Sequence, residues 1–130
     1  MEFYLSNILR LLSKKKYLQT FEAIAHKGNV EGQVLKYTNG YTQKQYYTAT
    51  EKLIKYGLIK RRSRLFSLTP FGAIIYHHNS KIDAAINEHH ALKAIDSIRG
   101  SKEERERVMK ILINGTIKNN DIKRILSRYN

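Results

Sequence analysis

Thr42 stands three residues ahead of Gln45, and Gly57 follows one helix length later. Thr-x-x-Gln is a reciprocal N-terminal cap, in which each side chain satisfies a backbone N–H that the first helical turn leaves unpaired. Behind it Tyr46, Ala49, Thr50 and Leu53 recur at helical spacing and predict a buried face. Gly57 supplies the residue type that commonly ends a helix. This start, stripe and stop confine the segment to one amphipathic helix. Gln43, Lys44, Gln45, Tyr47 and Thr48 are left on its outer face, with Lys52 one turn further on. Directly after it, Leu58 to Arg62 and Leu65 to Leu68 predict two short strands around a tight turn at Ser63-Arg64.

The same reasoning runs along the rest of the chain. Tyr4, Leu5, Ile8, Leu11 and Leu12 make a helical stripe from Met1 to Leu12, followed by Lys14, Lys15 and Lys16 where positive charge suits a helix end. A helix from Tyr17 to Lys27 places Leu18, Phe21, Ile24 and Ala25 on one face and stops at Gly28. A shorter helix from Val30 to Tyr37 turns Val34 and Leu35 inward, and Asn39-Gly40 signals a turn. Thr69 as N-cap and Pro70 at the first position open a helix with Phe71, Ile74 and Ile75 on its apolar face. The stripe Ile82, Ala85, Ile86, His89, Leu92, Ile95, Ile98 extends it toward Gly100, with a bend expected at Asn79-Ser80. Ser101 and Glu104 form a second capping box, before a helix that turns Val108, Ile111 and Leu112 inward and stops at Asn114-Gly115. A last helix from Asn120 to Arg128 carries Ile122, Ile125 and Leu126. The expected fold is mainly α with a small β-hairpin, plus C-terminal helices. Its expected parts are an N-terminal amphipathic helix (1–15), a central domain (16–80) and a helical extension (81–130).

Composition narrows the function. The 130 residues include 24 Lys and Arg against 11 Asp and Glu, a net charge of +13, and no cysteine. Without Cys there is no disulfide framework, thiolate metal site or Cys nucleophile. No stretch approaches the roughly 20 apolar residues that span a bilayer. The first residues do not read as a secretory signal, because Glu2 leads and Arg10 interrupts the apolar part. A cytoplasmic chain without a membrane partner is expected. A pI near 10.0 points to a polyanion, most simply nucleic acid. The charge is densest over residues 42–64, where seven basic residues stand against Glu51 alone. Charge runs are usually solvated faces. This one coincides with the capped helix and hairpin, which favours a binding face.

Helix, turn, capped helix and basic hairpin together resemble a winged helix-turn-helix domain. The stretch Leu53-Ile54-Lys55-Tyr56-Gly57-Leu58-Ile59-Lys60-Arg61, with Leu68-Thr69-Pro70-Phe71-Gly72 after it, is similar to winged-helix transcription regulators of archaea. The resemblance covers residues 16–80 well and 81–130 loosely. It implies a recognition helix over 42–56, a wing lying along the DNA backbone or minor groove, and a transcriptional regulator associated with the nucleoid. Independently of it, a helix fits the major groove and residues near its start reach base edges. Gln43 and Gln45 suit adenine, Lys44 suits guanine or phosphate, and Tyr47, Thr48 and Lys52 extend the same face. On the wing, Arg62 and Arg64 at the tip and one of Lys60 or Arg61 are expected to touch phosphates, which position the protein without specifying sequence.

Other chemistry finds little support in the sequence. His77-His78 and His89-His90 sit eleven or twelve residues apart, roughly 17 Å along a straight helix, too far for one metal ion. Neighbouring residues on a helix do not share a face. No glycine-rich phosphate loop is present. Glu103, Glu104 and Glu106 fall at a helix start, where the dipole favours them. The expectation is therefore no enzyme, no catalytic or metal site, no cofactor and no evident small-molecule ligand. The expected partners are double-stranded DNA and a second copy of the chain, paired through the N-terminal helix or the 82–98 stripe. The competing reading is a non-specific architectural DNA binder or a winged-helix protein-interaction module.

Overall fold

A computed structural model describes residues 5–128, leaving aside the side chains of 36–39. The Met1 to Tyr4 end of the N-terminal stripe lies outside the described residues. The chain runs α1 (Leu5–Leu12), α2 (Lys15–Lys27), β1 (Val30–Glu31), α3 (Gly32–Asn39), α4 (Gln43–Lys55), β2 (Ile59–Arg62), β3 (Leu65–Leu68), α5 (Pro70–Asn87), α6 (His89–Asp96), α7 (Lys102–Thr116) and α8 (Asn120–Leu126). This is the expected mainly helical fold with a small antiparallel sheet. The chain divides into two compact units, Met1–His77 and His78–Asn130.

The first unit is built around Phe21 and Ile24 of α2, Leu35 of α3, Ala49 and Leu53 of α4, Leu58, Ile59 and Phe66, all buried together. Ile8, Leu11 and Leu12 of α1 join the same core, whereas Leu5 of that stripe is 69% exposed. Two buried threonines need no outside partner. Thr20 Oγ1 donates to the Lys16 carbonyl and Thr50 Oγ1 to that of Tyr46, each one helical turn back.

Two expectations are corrected here. Val30 does not begin a helix; with Glu31 it forms β1, and α3 starts at Gly32. The sheet has three strands in the order β1-β3-β2, because β1 pairs with β3 through Val30↔Phe66 and Glu31↔Leu65. Val34 is exposed, whereas Leu35 is fully buried. The helix begins two residues later than its apolar pattern suggests, and only Leu35 then reaches the core.

The hairpin is tied to α5 by Thr69. Its Oγ1 accepts the Gly72 N–H, as an N-cap does, and donates to the Gly57 carbonyl. A Cβ at Gly72 would strike the Leu58 carbonyl, so a close helix-to-hairpin approach requires glycine there.

The second unit is held by Ile95, Ile113, Ile117 and Ile122, with Leu92, Met109, Leu112 and Leu126 packed around them. The interruption expected at Asn79-Ser80 occurs instead at Glu88, since α5 continues to Asn87 and α6 starts at His89. Glu88 Oε1 accepts from the backbone N–H groups of Lys118 (2.8 Å) and Asn119 (3.1 Å). Asn119 in turn caps α8 by accepting from Ile122 N–H. The break thus serves a contact thirty residues further along the chain. Val108 and Ile111 are exposed rather than inward, whereas Leu112 packs on the cluster with Met109 and Ile113; on α8, Ile122 and Leu126 face it and Ile125 is exposed. Helix α7 also runs past Asn114-Gly115 to Thr116. Ser101 caps it by accepting from Glu104 N–H. No described helix is long and apolar enough to cross a membrane.

Candidate nucleic-acid interface

Helix α4 starts as its sequence dictates. Thr42 Oγ1 accepts from Gln45 N–H at 3.2 Å, and Gln45 Oε1 accepts from Thr42 N–H at 2.9 Å. The turn before it ends at Gly40 in the left-handed region, φ 65°, where glycine is unstrained. Tyr41 Oη donates to Gln19 Oε1 at 2.5 Å, tying the turn to α2. Burial pushes the Tyr41 phenol above its usual range. Ala49, Thr50 and Leu53 are buried and Tyr46 is half-buried, which matches the expected inner face.

Lys44, Tyr47, Thr48 and Lys52 are exposed on the outer side, as expected. Two of the proposed base readers already carry contacts. The Gln45 carboxamide oxygen holds the cap, and Thr48 Oγ1 donates to the Lys44 carbonyl at 2.8 Å. Gln43, Lys44, Tyr47 and Lys52 are exposed. Glu51, passed over in the sequence, lies on the same face and lines a groove with Tyr47, Thr48, Lys52, Ile54 and Lys55. A carboxylate on a helix can accept from cytosine N4–H, and the spacing of Glu51 three and four residues after Thr48 and Tyr47 is a signal by which it could have been found.

The wing has two unlike faces. Arg61 stands opposite Phe66 in the β2–β3 ladder, and Arg62 stands opposite Leu65. Residues paired across strands share a face, and successive residues alternate. Arg61 therefore belongs to the Phe66 face, and Lys60 and Arg62 belong to the other. The Arg61 guanidinium lies 5.6 Å from the Phe66 ring centre. Its Nε donates to the Ser63 carbonyl at 3.2 Å. Ser63 makes that carbonyl available by adopting φ 58°, a conformation uncommon for a residue with a Cβ. The ring contact and the hydrogen bond together hold the Arg61 side chain in place.

Arg61 and Arg64 meet Gln43 across a groove of about 490 Å³, which Glu31, Gly32, Gln33, Tyr46 and Phe66 complete. Its floor is aromatic: Tyr46 packs edge-on against Phe66 with ring centres 6.1 Å apart. A Cβ at Gly32 would collide with the Tyr46 hydroxyl, so glycine lets that ring lie against the start of α3. Burial pushes the Tyr46 phenol up, and the nearby Arg61 charge offsets part of the effect.

Comparisons with protein-family models, with curated proteins and with solved structures find no match.

The groove brings Gln43 together with Arg61 and Arg64, and the strand alternation leaves Lys60 and Arg62 on the opposite face of the hairpin. Of Lys60 and Arg61, between which the sequence left the choice of a phosphate contact open, Arg61 is the one that lines this groove. Gln33 and Glu31 entered the groove unforeseen, because β1 swings the start of α3 beside the wing. Among the described residues no group of three or more His, Asp or Glu side chains gathers as a metal site would require. His89 and His90 sit with ring centres 5.7 Å apart, side by side at the start of α6.

Proposed function

We propose that the chain binds duplex DNA, with α4 entering the major groove and the β2–β3 hairpin resting on the adjacent backbone, and that it acts as a transcriptional regulator associated with the nucleoid. The observation that carries this reading is the shared groove, in which Gln43 from the start of a candidate reading helix faces Arg61 and Arg64 from the hairpin. A protein that reads bases beside a phosphate strand needs that pairing: arginine donors fix the register and a nearby amide inspects the edge. The net charge of +13 supports it by drawing the chain to a polyanion from a distance.

A second reading, a non-specific architectural binder, is favoured by the engagement of Gln45 and Thr48 within α4 itself. Fewer unengaged polar ends leave less base discrimination and proportionally more phosphate binding.

The two readings separate in a salt titration of binding to random duplex and to fragments selected from genomic DNA. Arg61→Ala and Arg64→Ala are expected to lower the salt slope by about one unit each on any duplex. Unchanged slopes would remove the wing from the interface. Gln43→Ala is expected to cost roughly 1–3 kcal/mol on a selected site and little on random DNA. Equal loss on both, or no selectable site, would leave the architectural reading.

A further inference from the structure

The second unit holds a cavity of about 390 Å³ that lies wholly among its own residues. Leu92, Ile95 and Ile98 line it from α6 and the turn that follows, Met109 from α7 and Leu126 from α8. Its size falls within the range of small-molecule pockets, about 300–1,000 Å³. Two of its lining residues are charged, Asp96 and Arg105, and their signs are opposite. The apolar residues are buried or half-buried, whereas both charged ones are exposed. The cavity therefore has an apolar interior and a rim that carries one negative and one positive group.

Neither charge is explained by a role in the fold. Among the described residues neither side chain has an ion-pair or hydrogen-bond partner, although both line one cavity. Asp96 is the last residue of α6, where the negative end of the helix dipole disfavours a carboxylate. Arg105 stands one turn into α7, near the positive end, which disfavours a cation. Elsewhere in the unit the charges are placed the other way round: Glu103 and Glu104 open α7, and Lys123 and Arg124 close α8. Nor does α7 offer Arg105 an acid, since Ser101, Lys102, Val108 and Met109 occupy the positions three and four residues away.

A ligand that suits this cavity needs an apolar body for the interior, an anionic group for Arg105 and a cationic group for Asp96. An apolar acid would satisfy Arg105 and be repelled by Asp96. An apolar amine would do the reverse. A free α-amino acid with a large apolar side chain carries all three groups on one carbon. Its carboxylate suits the planar donors of a guanidinium, and its ammonium donates to an aspartate, both as charge-assisted hydrogen bonds.

We infer that the cavity between α6, α7 and α8 binds a free α-amino acid with a large apolar side chain, its carboxylate on Arg105 and its ammonium on Asp96. The inference does not rest on DNA binding, and its test uses no DNA.

The test is calorimetric titration of the full chain with L-leucine, L-methionine and L-phenylalanine. Each is matched with the amine that lacks its carboxylate and the acid that lacks its ammonium. At least one amino acid is expected to bind with a Kd at or below about 1 mM, the scale a small ligand reaches through a few good contacts. Its matched amine and acid are expected to bind about tenfold or more weakly, for the loss of one charge-assisted hydrogen bond. Arg105→Gln is expected to weaken the amino acid about tenfold and to tighten the amine, and Asp96→Asn to weaken the amino acid equally and to tighten the acid. A general loss of structure would weaken every ligand together and could not produce that crossed pattern. Circular dichroism checks that each variant folds, and the ligand comparison on the unmodified chain decides without them. A chain that binds none of the three amino acids overturns the proposal. So does an amine or acid that binds the unmodified chain as tightly as its amino acid, or an amino acid whose affinity neither substitution changes.

Discussion

The two units of this chain use the same kind of residue to different depths. The first encloses Phe21, Ile24, Leu35, Leu53 and Leu58 completely and closes its sheet over them. The second gathers four isoleucines, of which only Ile117 is almost fully enclosed, and leaves Ile111 and Ile125 in solvent. The difference lies less in hydrophobicity than in geometry. A sheet and four helices meet around Phe21, whereas helices alone, with no sheet, surround Ile113. Because apolar stabilisation scales with the area removed from water, the more deeply buried first unit holds α4 and the hairpin through their own core residues, Ala49, Leu53, Ile59 and Phe66. The second depends more on individual polar contacts, above all the Glu88 carboxylate.

Four substitutions sharpen that contrast. The largest effect is expected for Phe21→Ala, which empties the centre of the first unit and costs about 3–5 kcal/mol. Ile117→Ala in the second unit should cost about 2–4 kcal/mol. Hydrogen exchange should show α4 amides still protected in Ile117→Ala and unprotected in Phe21→Ala. Equal loss in both variants would mean that the two units unfold together. Next comes Glu88→Ala, which removes the acceptor shared by Lys118 and Asn119 and is expected to cost about 2 kcal/mol. Amides at the start of α8 should then exchange faster, while those of β2 and β3 stay unchanged. The smallest effect is expected for Thr42→Ala, about 1 kcal/mol from the lost cap. Thermal unfolding gives its size. It also releases the Gln45 carboxamide, so preference between DNA sequences should change with little change in general affinity.

The parts of the fold legible in the sequence were those set by neighbours a few residues away. The Thr42–Gln45 box, the Thr69 and Ser101 caps, the closing Gly57 and the inner face of α4 obey rules that span one helical turn. Where long-range contacts decided, the sequence misled. Val30 became a strand because Phe66 offers it a ladder partner. The helix broke at Glu88, and not at Asn79-Ser80, because the Glu88 side chain serves backbone donors near Asn119. Ile111 faced out because a stripe marks an apolar side without saying which neighbour covers it, and α7 instead set Met109 and Ile113 against Ile122.

The candidate interface divides in the same way. From sequence alone came a capped helix with Gln43, Lys44, Gln45, Tyr47, Thr48 and Lys52 outward, a basic hairpin after it, and the excess of positive charge, since periodicity, capping and charge are local or additive properties. Only the tertiary structure could choose among the arginines. The Arg61↔Phe66 pairing turns Arg61 toward α4, the Ser63 carbonyl holds it, and the same alternation carries Lys60 and Arg62 to the far face. Strand register is a relation between distant segments, and no single stretch of chain contains it.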